Sequence, residues 1–305
     1  MICEPPKQII RSPLRYPGGK SVFSPYFSDL MEQNGLKSRR YFEPFAGGAG
    51  VALGLLSSNI ASEAILNDAD YHIYCFWTSV LNENERFLEE IQNATLSIKE
   101  WQKQRMIYYK PEKYSIFEIG FSTFYLNRCN RSGILAGAGP IGGYKQKGEW
   151  RLDARFNKDN LMTRIEGVGT LKDRIFIENM DAIIFLRKCL PRGRGRENVF
   201  VYIDPPYVSA GNRLYLNFYS DKDHRKLASY LLKQANLKWV VTYDDTLLIR
   251  ELYSSCRRWL FYLGYSLQSK QKGKELLITP DWLLLPNRNK LTSNRWSIVK
   301  KIRGG

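Results

Sequence analysis

The 305-residue sequence contains few of the residues that zinc sites and disulfide frameworks need. It has two histidines, His72 and His224, and five cysteines that are scattered along the chain. A zinc site of the usual cysteine and histidine spacing therefore lacks ligands, and catalysis based on histidine is not expected. We expect His72 to be a partly buried structural residue and His224 to lie at the surface. The cysteines are expected to be reduced and packed.

Long apolar segments are also missing. No run approaches the roughly 20 residues that a membrane-spanning helix needs. The opening residues, MICEPPKQII, have neither the basic start nor the apolar stretch of a signal peptide. We therefore expect a cytoplasmic protein with no membrane partner.

Acidic residues are scarce relative to basic ones. The chain has 30 Asp and Glu against 46 Lys and Arg, which gives a formal net charge of +16. This surplus favours a polyanionic partner, and nucleic acid more than a solvated or ribosome-associated surface. Apolar residues make up 44% of the chain, which is enough to bury a core.

Alternating strand and helix patterns at both ends of the chain predict an α/β fold. The run NVFVYI is continuously apolar, as is typical of a strand buried in a parallel sheet. Between the two ends, amphipathic helical stretches lead into a glycine-dense loop, GAGPIGGYKQKGEW. We therefore predict an α/β domain in two parts, residues 1–76 and 172–305, with an insertion at residues 77–171.

The four residues Asp204-Pro205-Pro206-Tyr207 follow the apolar run NVFVYI directly. Open α/β sheets bind ligands at the carboxyl ends of their strands. The two prolines remove backbone donors and leave carbonyl acceptors in a rigid path. Asp204 and the Pro205 carbonyl can accept both N–H bonds of an exocyclic amine, which favours a nucleophilic nitrogen, and Tyr207 can stack on the base. A turn with a capping aspartate is the alternative interpretation.

A second candidate site is the glycine-rich turn EPFAGGAG, which runs from Glu43 to Gly50 between a predicted strand and a predicted helix. Glycines allow the backbone to approach a bound nucleoside closely. Asp68 lies twenty-one residues after Gly47, at the end of the next predicted strand, where an acid accepts hydrogen bonds from ribose hydroxyls. A tight loop with a helix-capping aspartate is the alternative, but the spacing favours a nucleoside site.

Several motifs occur in the order typical of one enzyme family: RYPGGK, EPFAGG followed by NDAD, an inserted block, then YIDPPY and VVTYDD. From about Ser12 to Ile278 the chain resembles the Dam-like (D12 class, alpha-group) N6-adenine-specific DNA methyltransferases. The resemblance implies a Rossmann-like S-adenosylmethionine-dependent methyltransferase sheet with an inserted, mostly helical target-recognition domain that contains a β-hairpin. It also implies S-adenosylmethionine as methyl donor, double-stranded DNA as substrate, and a target adenine flipped out of the duplex.

The resemblance assigns roles to individual positions. It implies that Asp204, Pro205, Pro206 and Tyr207 are catalytic. It implies cofactor contacts for Tyr16, Lys20, Glu43, Phe45, Gly47, Asp68, Asn179 and Asp204. Position 16 is tyrosine where the family often has tryptophan, so an aromatic ring is retained. No metal is implied.

Basic residues of the insertion are candidates for DNA contact, since arginine suits phosphates and guanine edges. The resemblance places a DNA-reading hairpin near GGYKQKGEWRLDARF. The expected DNA-binding residues are Arg128, Arg131, Lys147, Arg151 and Arg155. The basic turn with Arg192, Arg194 and Arg196 supplies further candidates for phosphate contact. A cognate restriction or defence protein is a further expected partner.

Three other functions stay open. A catalytically silent DNA-binding module of a defence or regulatory complex would keep the fold, although such a protein is expected to have lost Asp204 or the glycines. Cytosine N4 is also an exocyclic amine, but the N4 enzymes usually carry serine in place of the aspartate. An RNA adenine methyltransferase is the third, because the sequence does not reveal a preference for the 2′-hydroxyl.

Overall fold

The computed structural model describes residues 9–15, 20–209, 219–264, 272–286, 292–293 and 296–302. Within these ranges the strands are β1 (Arg39–Glu43), β2 (Ala61–Asn67), β3 (Ile175–Glu178), β4 (Val199–Ile203), β5 (Lys238–Asp244), β6 (Arg257–Gly264), β7 (Lys272–Thr279), β8 (Thr292–Ser293) and β9 (Trp296–Ile302). The helices are α1 (Ser24–Gln33), α2 (Gly50–Ser57), α3 (Tyr71–Asn82), α4 (Asn84–Asn93), α5 (Ile98–Tyr109), α6 (Ile116–Cys129), α7 (Lys158–Gly169), α8 (Ala182–Cys189), α9 (Asp221–Leu232) and α10 (Leu247–Leu252).

The strands form one sheet in the order β3-β2-β1-β4-β5-β7-β6-β9-β8. The neighbours from β3 to β5 are parallel, whereas β7 runs antiparallel to β5. The chain order reverses between β1 and β4, so the connections on the two sides of this point diverge and leave a crevice at the carboxyl ends of the strands. The predicted α/β class is confirmed.

Strand β4 is apolar throughout because both faces of the sheet are covered. All five of its residues are buried. Phe200 and Tyr202 belong to one apolar cluster, and Val199, Val201 and Ile203 belong to a second. This alternation follows from the period of two along a strand, and it puts the central strand at the middle of the core.

Five helices, α3 to α7, occupy the chain between β2 and β3. Their apolar side chains share a core with the sheet: Phe76 of α3 stacks on Phe124 of α6 with ring centroids 6.1 Å apart, and both belong to the cluster that contains Phe200. The boundary placed at residue 76 lies inside α3, which is continuous. The division of the chain into domains stays a prediction.

The prediction of a β-hairpin in the insertion is wrong. Residues 142–156 form turns and a short 3-10 helix, Leu152–Arg155. Positive φ angles at Gly142 (81°), Gly143 (70°) and Gln146 (48°) turn the chain away from an extended path. The Gln146 amide then closes the loop by donating to the carbonyls of Ile141 and Gly143, at 2.7 and 2.6 Å. Local turn formation therefore replaces strand pairing here.

The prediction that His224 lies at the surface is also wrong, since this residue is 1% exposed. Its Nδ1 lies 2.8 Å from the Tyr243 hydroxyl, and burial lowers the pKa of its imidazole. Among the described residues, no helix is long and apolar enough to cross a membrane.

Candidate active site

The carboxyl ends of four parallel strands bring the two sequence motifs to one edge of the sheet. Glu43 ends β1, Asp68 follows β2, Asn179 follows β3, and Asp204 follows β4. Parallel strands place residues that are distant in sequence side by side at such an edge. The glycine turn and the DPPY segment therefore face one crevice.

The glycine turn is held by hydrogen bonds to its backbone. Gly47 has a φ of +45°, which favours glycine. Its N–H donates to Asp68 Oδ2 at 2.8 Å, and its carbonyl accepts from the Trp77 indole at 2.9 Å. The sequence pairing of Gly47 with Asp68 is thus a direct contact between the two residues.

Asp68 lies between the turn and the start of α3. Its Oδ1 accepts the Asp70 N–H at 2.9 Å, and its backbone carbonyl accepts from the exposed Asn179 amide at 2.7 Å. Burial, and then the negative charge of Asp70, raise the pKa of Asp68 to about 7. Asp68 therefore titrates near neutral pH.

Asn67 is a structural residue of this edge that the sequence analysis gave no role, although it begins the NDAD motif. Its side chain is fully buried, and its amide donates to the carbonyls of Pro44 and Met180, each at 3.0 Å. The Met180 N–H in turn donates to Asn67 Oδ1 at 3.0 Å. One side chain therefore ties together the loops after β1, β2 and β3.

Asp204 is held through one of its carboxylate oxygens. Oδ1 accepts from the Thr242 hydroxyl at 2.6 Å, and the Lys20 ammonium lies 3.4 Å from the same oxygen. Burial raises the pKa of Asp204, and Lys20 opposes that shift. The aspartate is therefore fixed in orientation by two donors from different parts of the chain.

Lys20 lies inside the site and is only 6% exposed. Its Nζ contacts Asp204, the Tyr207 hydroxyl, and Glu275 Oε2, the last at 3.0 Å. Burial disfavours the ammonium, but the two carboxylates outweigh burial and raise the pKa of Lys20. The sequence analysis gave no role to Thr242, although it lies within VVTYDD, or to Glu275, which occurs in a strand without a recognisable motif.

The chain after the DPPY segment is anchored by Asp244. Its carboxylate accepts the backbone N–H groups of Val208 and Ser209, at 3.1 and 2.8 Å. Pro205 is buried, while Pro206 and Tyr207 are half-buried. The segment is therefore held both at Asp204 and just beyond Tyr207.

Two further predicted cofactor residues lie at this edge. Glu43 is 4% exposed and accepts from the Tyr41 hydroxyl at 3.0 Å, and burial raises its pKa. Phe45 is half-buried and packs edge-on against Tyr219, with ring centroids 5.6 Å apart. Tyr16 lies outside the described residues.

Comparison with known proteins gives the family. A family model described as D12 class N6 adenine-specific DNA methyltransferase matches residues 16–269, which is most of the 305-residue chain. The chain belongs to this family. The D12 methyltransferases methylate adenine in DNA and depend on S-adenosylmethionine.

Two other comparisons add little to the D12 match. A solved structure described as a conserved hypothetical protein from Streptococcus pyogenes is similar to 81% of this chain and 89% of that chain, with 12% identity and a TM-score of 0.33. The search of curated proteins found no match.

The predicted DNA-binding residues of this D12 methyltransferase fall into two groups. Arg131, Lys147, Arg151 and Arg155 are exposed on the loops after α6. Arg128 differs from these four residues and departs from the expectation of an accessible arginine. It is 6% exposed, and its guanidinium donates to the Pro13 carbonyl. Burial, and then the nearby charges of Arg164 and Arg15, lower the pKa of Arg128 to about 9. Arg128 therefore has a structural role at the start of the chain.

Arg128 belongs to a group of like charges that sequence reasoning missed. Arg164 donates to the Ser12 carbonyl at 3.0 Å, and Arg15 donates to the Asn130 carbonyl at 3.2 Å. Burial and then Arg155 lower the pKa of Arg15, and burial and then Arg11 lower the pKa of Arg164. We call this set the arginine cluster: Arg11, Arg15, Arg128, Arg155 and Arg164. Within the described ranges, no ion pair joins a member of the cluster to a carboxylate.

The basic turn at Arg192, Arg194 and Arg196 lies at the opposite edge of the sheet. It precedes Val199, where β4 begins, whereas Asp204 follows the end of that strand. Five strand residues correspond to roughly 16 Å. Arg192 and Arg194 are exposed, while Arg196 is half-buried and donates to the Pro191 carbonyl at 3.0 Å. This turn is therefore separate from the DPPY crevice.

Proposed function

We propose that the chain is a site-specific, Dam-like DNA methyltransferase that transfers a methyl group from S-adenosylmethionine to N6 of an adenine flipped out of double-stranded DNA. The observation that carries this proposal is the geometry of Asp204. Its Oδ1 is held at 2.6 Å by Thr242 and lies 3.4 Å from Lys20, at the carboxyl end of a buried strand. The hydrogen bond between Gly47 and Asp68 lies at the same edge.

The residues at this edge fit S-adenosylmethionine. Gly47 leaves the backbone open to close approach, and Asp68 is a strand-end carboxylate suited to ribose hydroxyls. Lys20 lies between two carboxylates, which leaves an excess of negative charge that suits a cationic sulfur. We assign Glu43, Phe45 and Gly47 to the methionine end, Asp68 to the ribose, and Asn179 to the adenine. Tyr16, Lys20 and Asp204 are assigned as further cofactor contacts.

When bound, the cofactor supplies an activated methyl group on a cationic sulfur. Thr242 and Lys20 both engage Asp204 Oδ1, so we assign Oδ2, together with the Pro205 carbonyl, to the two N–H bonds of the target amine. Transfer forms the N–C bond, breaks the C–S bond with its electrons going to sulfur, and releases one proton from nitrogen. The raised pKa of Asp204 favours acceptance of that proton.

Base and methyl group must also be aligned, and the fixed DPPY segment serves this purpose. Pro205 and Pro206 restrict the backbone, and Asp244 anchors the residues that follow. We assign Tyr207 to stacking on the flipped adenine, which offsets part of the unstacking free energy. Holding the reacting groups in line supplies much of the rate enhancement in a transfer that needs no covalent enzyme intermediate.

The arginine cluster supports DNA as the substrate. Guanidinium groups bind phosphates, and like charges without carboxylate partners are relieved when an anion binds between them. We assign the exposed members of the cluster, with Arg131, Lys147 and Arg151, to contact with the DNA. We also propose that the protein acts in the cytoplasm and that it has a cognate restriction or defence protein as a partner.

Methyl transfer from labelled S-adenosylmethionine to unmethylated genomic DNA tests the proposal. Nucleoside mass spectrometry should detect N6-methyladenine, and mapping should place it at one short sequence. N4-methylcytosine would indicate the cytosine reaction, and transfer to RNA alone would indicate an RNA enzyme. Cofactor binding without transfer to either nucleic acid would favour the silent DNA-binding module.

A further inference from the structure

Glu275 is a buried carboxylate whose place in the sheet is unusual for an acid. It lies in β7 and is 1% exposed. Its neighbours across the sheet are Asp244 of β5 and Phe261 of β6. Because β7 runs antiparallel to β5, the early part of β7 reaches the edge of the sheet where β4 and β5 end.

One contact connects this strand with the DPPY segment. Glu275 Oε2 lies 3.0 Å from Lys20 Nζ. The same Nζ lies 3.4 Å from Asp204 Oδ1 and contacts the Tyr207 hydroxyl. Lys20 therefore joins β7 to both ends of the DPPY segment.

The distances show which carboxylate holds the ammonium more closely. Glu275 is nearer to Lys20 Nζ than Asp204 is, and its side chain is 2% exposed against 23% for Asp204. A buried ammonium is stable only where it is paired, so Glu275 offers the deeper and more rigid anchor. Asp204, which is partly accessible, is left to face the crevice.

We propose that Glu275 is a positioning residue for methyl transfer, because it keeps Lys20 where Nζ can fix Asp204 and Tyr207 together. This inference rests on the proposed function of the site. Glu275 is proposed to act through Lys20 and not by contact with substrate. A role in the fold alone would affect stability without affecting the rate at saturating cofactor.

The test compares five full-length proteins: wild type, Glu275→Gln, Lys20→Met, the variant that carries both of these changes, and a control, Thr279→Val. Gln keeps the shape of Glu275 and removes its charge. Thr279→Val is the matched control, since Thr279 is a fully buried residue on the same strand, four positions further on, and the change is nearly isosteric. The readouts are the melting temperature, the cofactor Kd by calorimetry, and the single-turnover rate of methyl transfer to DNA at saturating cofactor.

At saturating cofactor, Glu275→Gln should slow methyl transfer by about 10- to 100-fold, the range expected when hydrogen bonds to a charged group are lost. Thr279→Val should transfer at the wild-type rate. The double variant should be no slower than Lys20→Met, because Glu275 is proposed to act on Asp204 and Tyr207 through Lys20.

Two results would overturn the proposal. One is a Glu275→Gln rate equal to that of Thr279→Val. The other is a double variant that is slower than Lys20→Met, which would show that Glu275 acts independently of Lys20. The second comparison remains decisive even if Glu275→Gln alone does not fold, since the double variant removes both members of the ion pair. Wild-type protein that binds no cofactor and transfers no methyl group would instead overturn the proposed function.

Discussion

The side chain of Asn127 pairs with both backbone groups of Arg15. Its Oδ1 accepts the Arg15 N–H at 2.6 Å, and its Nδ2 donates to the Arg15 carbonyl at 2.8 Å. Asn127 lies in the last turn of α6 in the insertion, and Arg15 lies five residues before Lys20. The insertion proposed to read DNA therefore holds the chain at Arg15, five residues before Lys20 of the candidate site.

Replacing Asn127 with alanine should destabilise the protein. The change leaves a backbone N–H and the carbonyls of Arg15 and Gly133 without their amide partner at a site where Asn127 is 2% exposed. Each unpaired buried group costs about 1–3 kcal/mol, but Arg15 is half-buried and water can satisfy part of what is lost there, so we expect a decrease of about 2–4 kcal/mol in the free energy of unfolding. Urea denaturation measures it, with the exposed Asn93→Ala as control. Equal stability of the two variants would contradict the prediction.

Asp204→Asn should abolish most of the methyl transfer while the fold is kept. The amide retains the size of the carboxylate, but it cannot accept both the Thr242 hydroxyl and an amine proton in the same way. We expect the rate to fall by about 100-fold or more, as is typical for the loss of an acid–base group. Single-turnover assays measure the rate, and circular dichroism checks the fold. Asp159→Asn, at an exposed position of α7, should transfer normally.

The fold was predictable because its signals are local. The run NVFVYI indicates a strand covered on both faces, and β4 is one. The turns at residues 142–156, where a β-hairpin was expected, were not predictable, since a single side chain, Gln146, closes that loop through two carbonyls. A sequence pattern reports periodicity, and it does not report which side chain satisfies which backbone group.

The candidate site was also predictable only in part. Gly47 and Asp68 were paired from their spacing, and the structure joins them by a hydrogen bond of 2.8 Å. Glu275 could not be found in this way, because only the antiparallel pairing of β7 with β5 brings this residue to the edge of the sheet where the DPPY segment lies. Arg128 was misjudged because an arginine in a basic segment is usually solvated, whereas this one is buried against the Pro13 carbonyl.

Cofactor binding should tighten as the pH rises through the pKa of Asp68, which is about 7. The protonated acid cannot accept two ribose hydroxyls, whereas the carboxylate can, so the form that binds becomes populated as the proton leaves. If only the carboxylate binds, the apparent Kd at about pH 6 should be roughly tenfold higher than at about pH 8. Calorimetry across this range measures it. Asp68→Asn should bind weakly with little pH dependence, and a wild-type Kd that is flat with pH would contradict the ribose assignment.

Arg155→Ala should change DNA affinity and protein stability in opposite directions. Arg155 is exposed and lies close enough to Arg15 for its charge to lower the pKa of that guanidinium, so its removal relieves a repulsion in the free protein and should raise the melting temperature. The same change removes the proposed phosphate contact, which should weaken DNA binding and reduce the slope of log affinity against log salt by about 0.9. The matched control is Arg194→Ala, an exposed arginine in the turn at the opposite edge of the sheet. With a short duplex, that variant should leave both affinity and slope unchanged. A lower melting temperature with unchanged DNA binding in Arg155→Ala would contradict the prediction and would mean that Arg155 stabilises the fold and does not contact DNA.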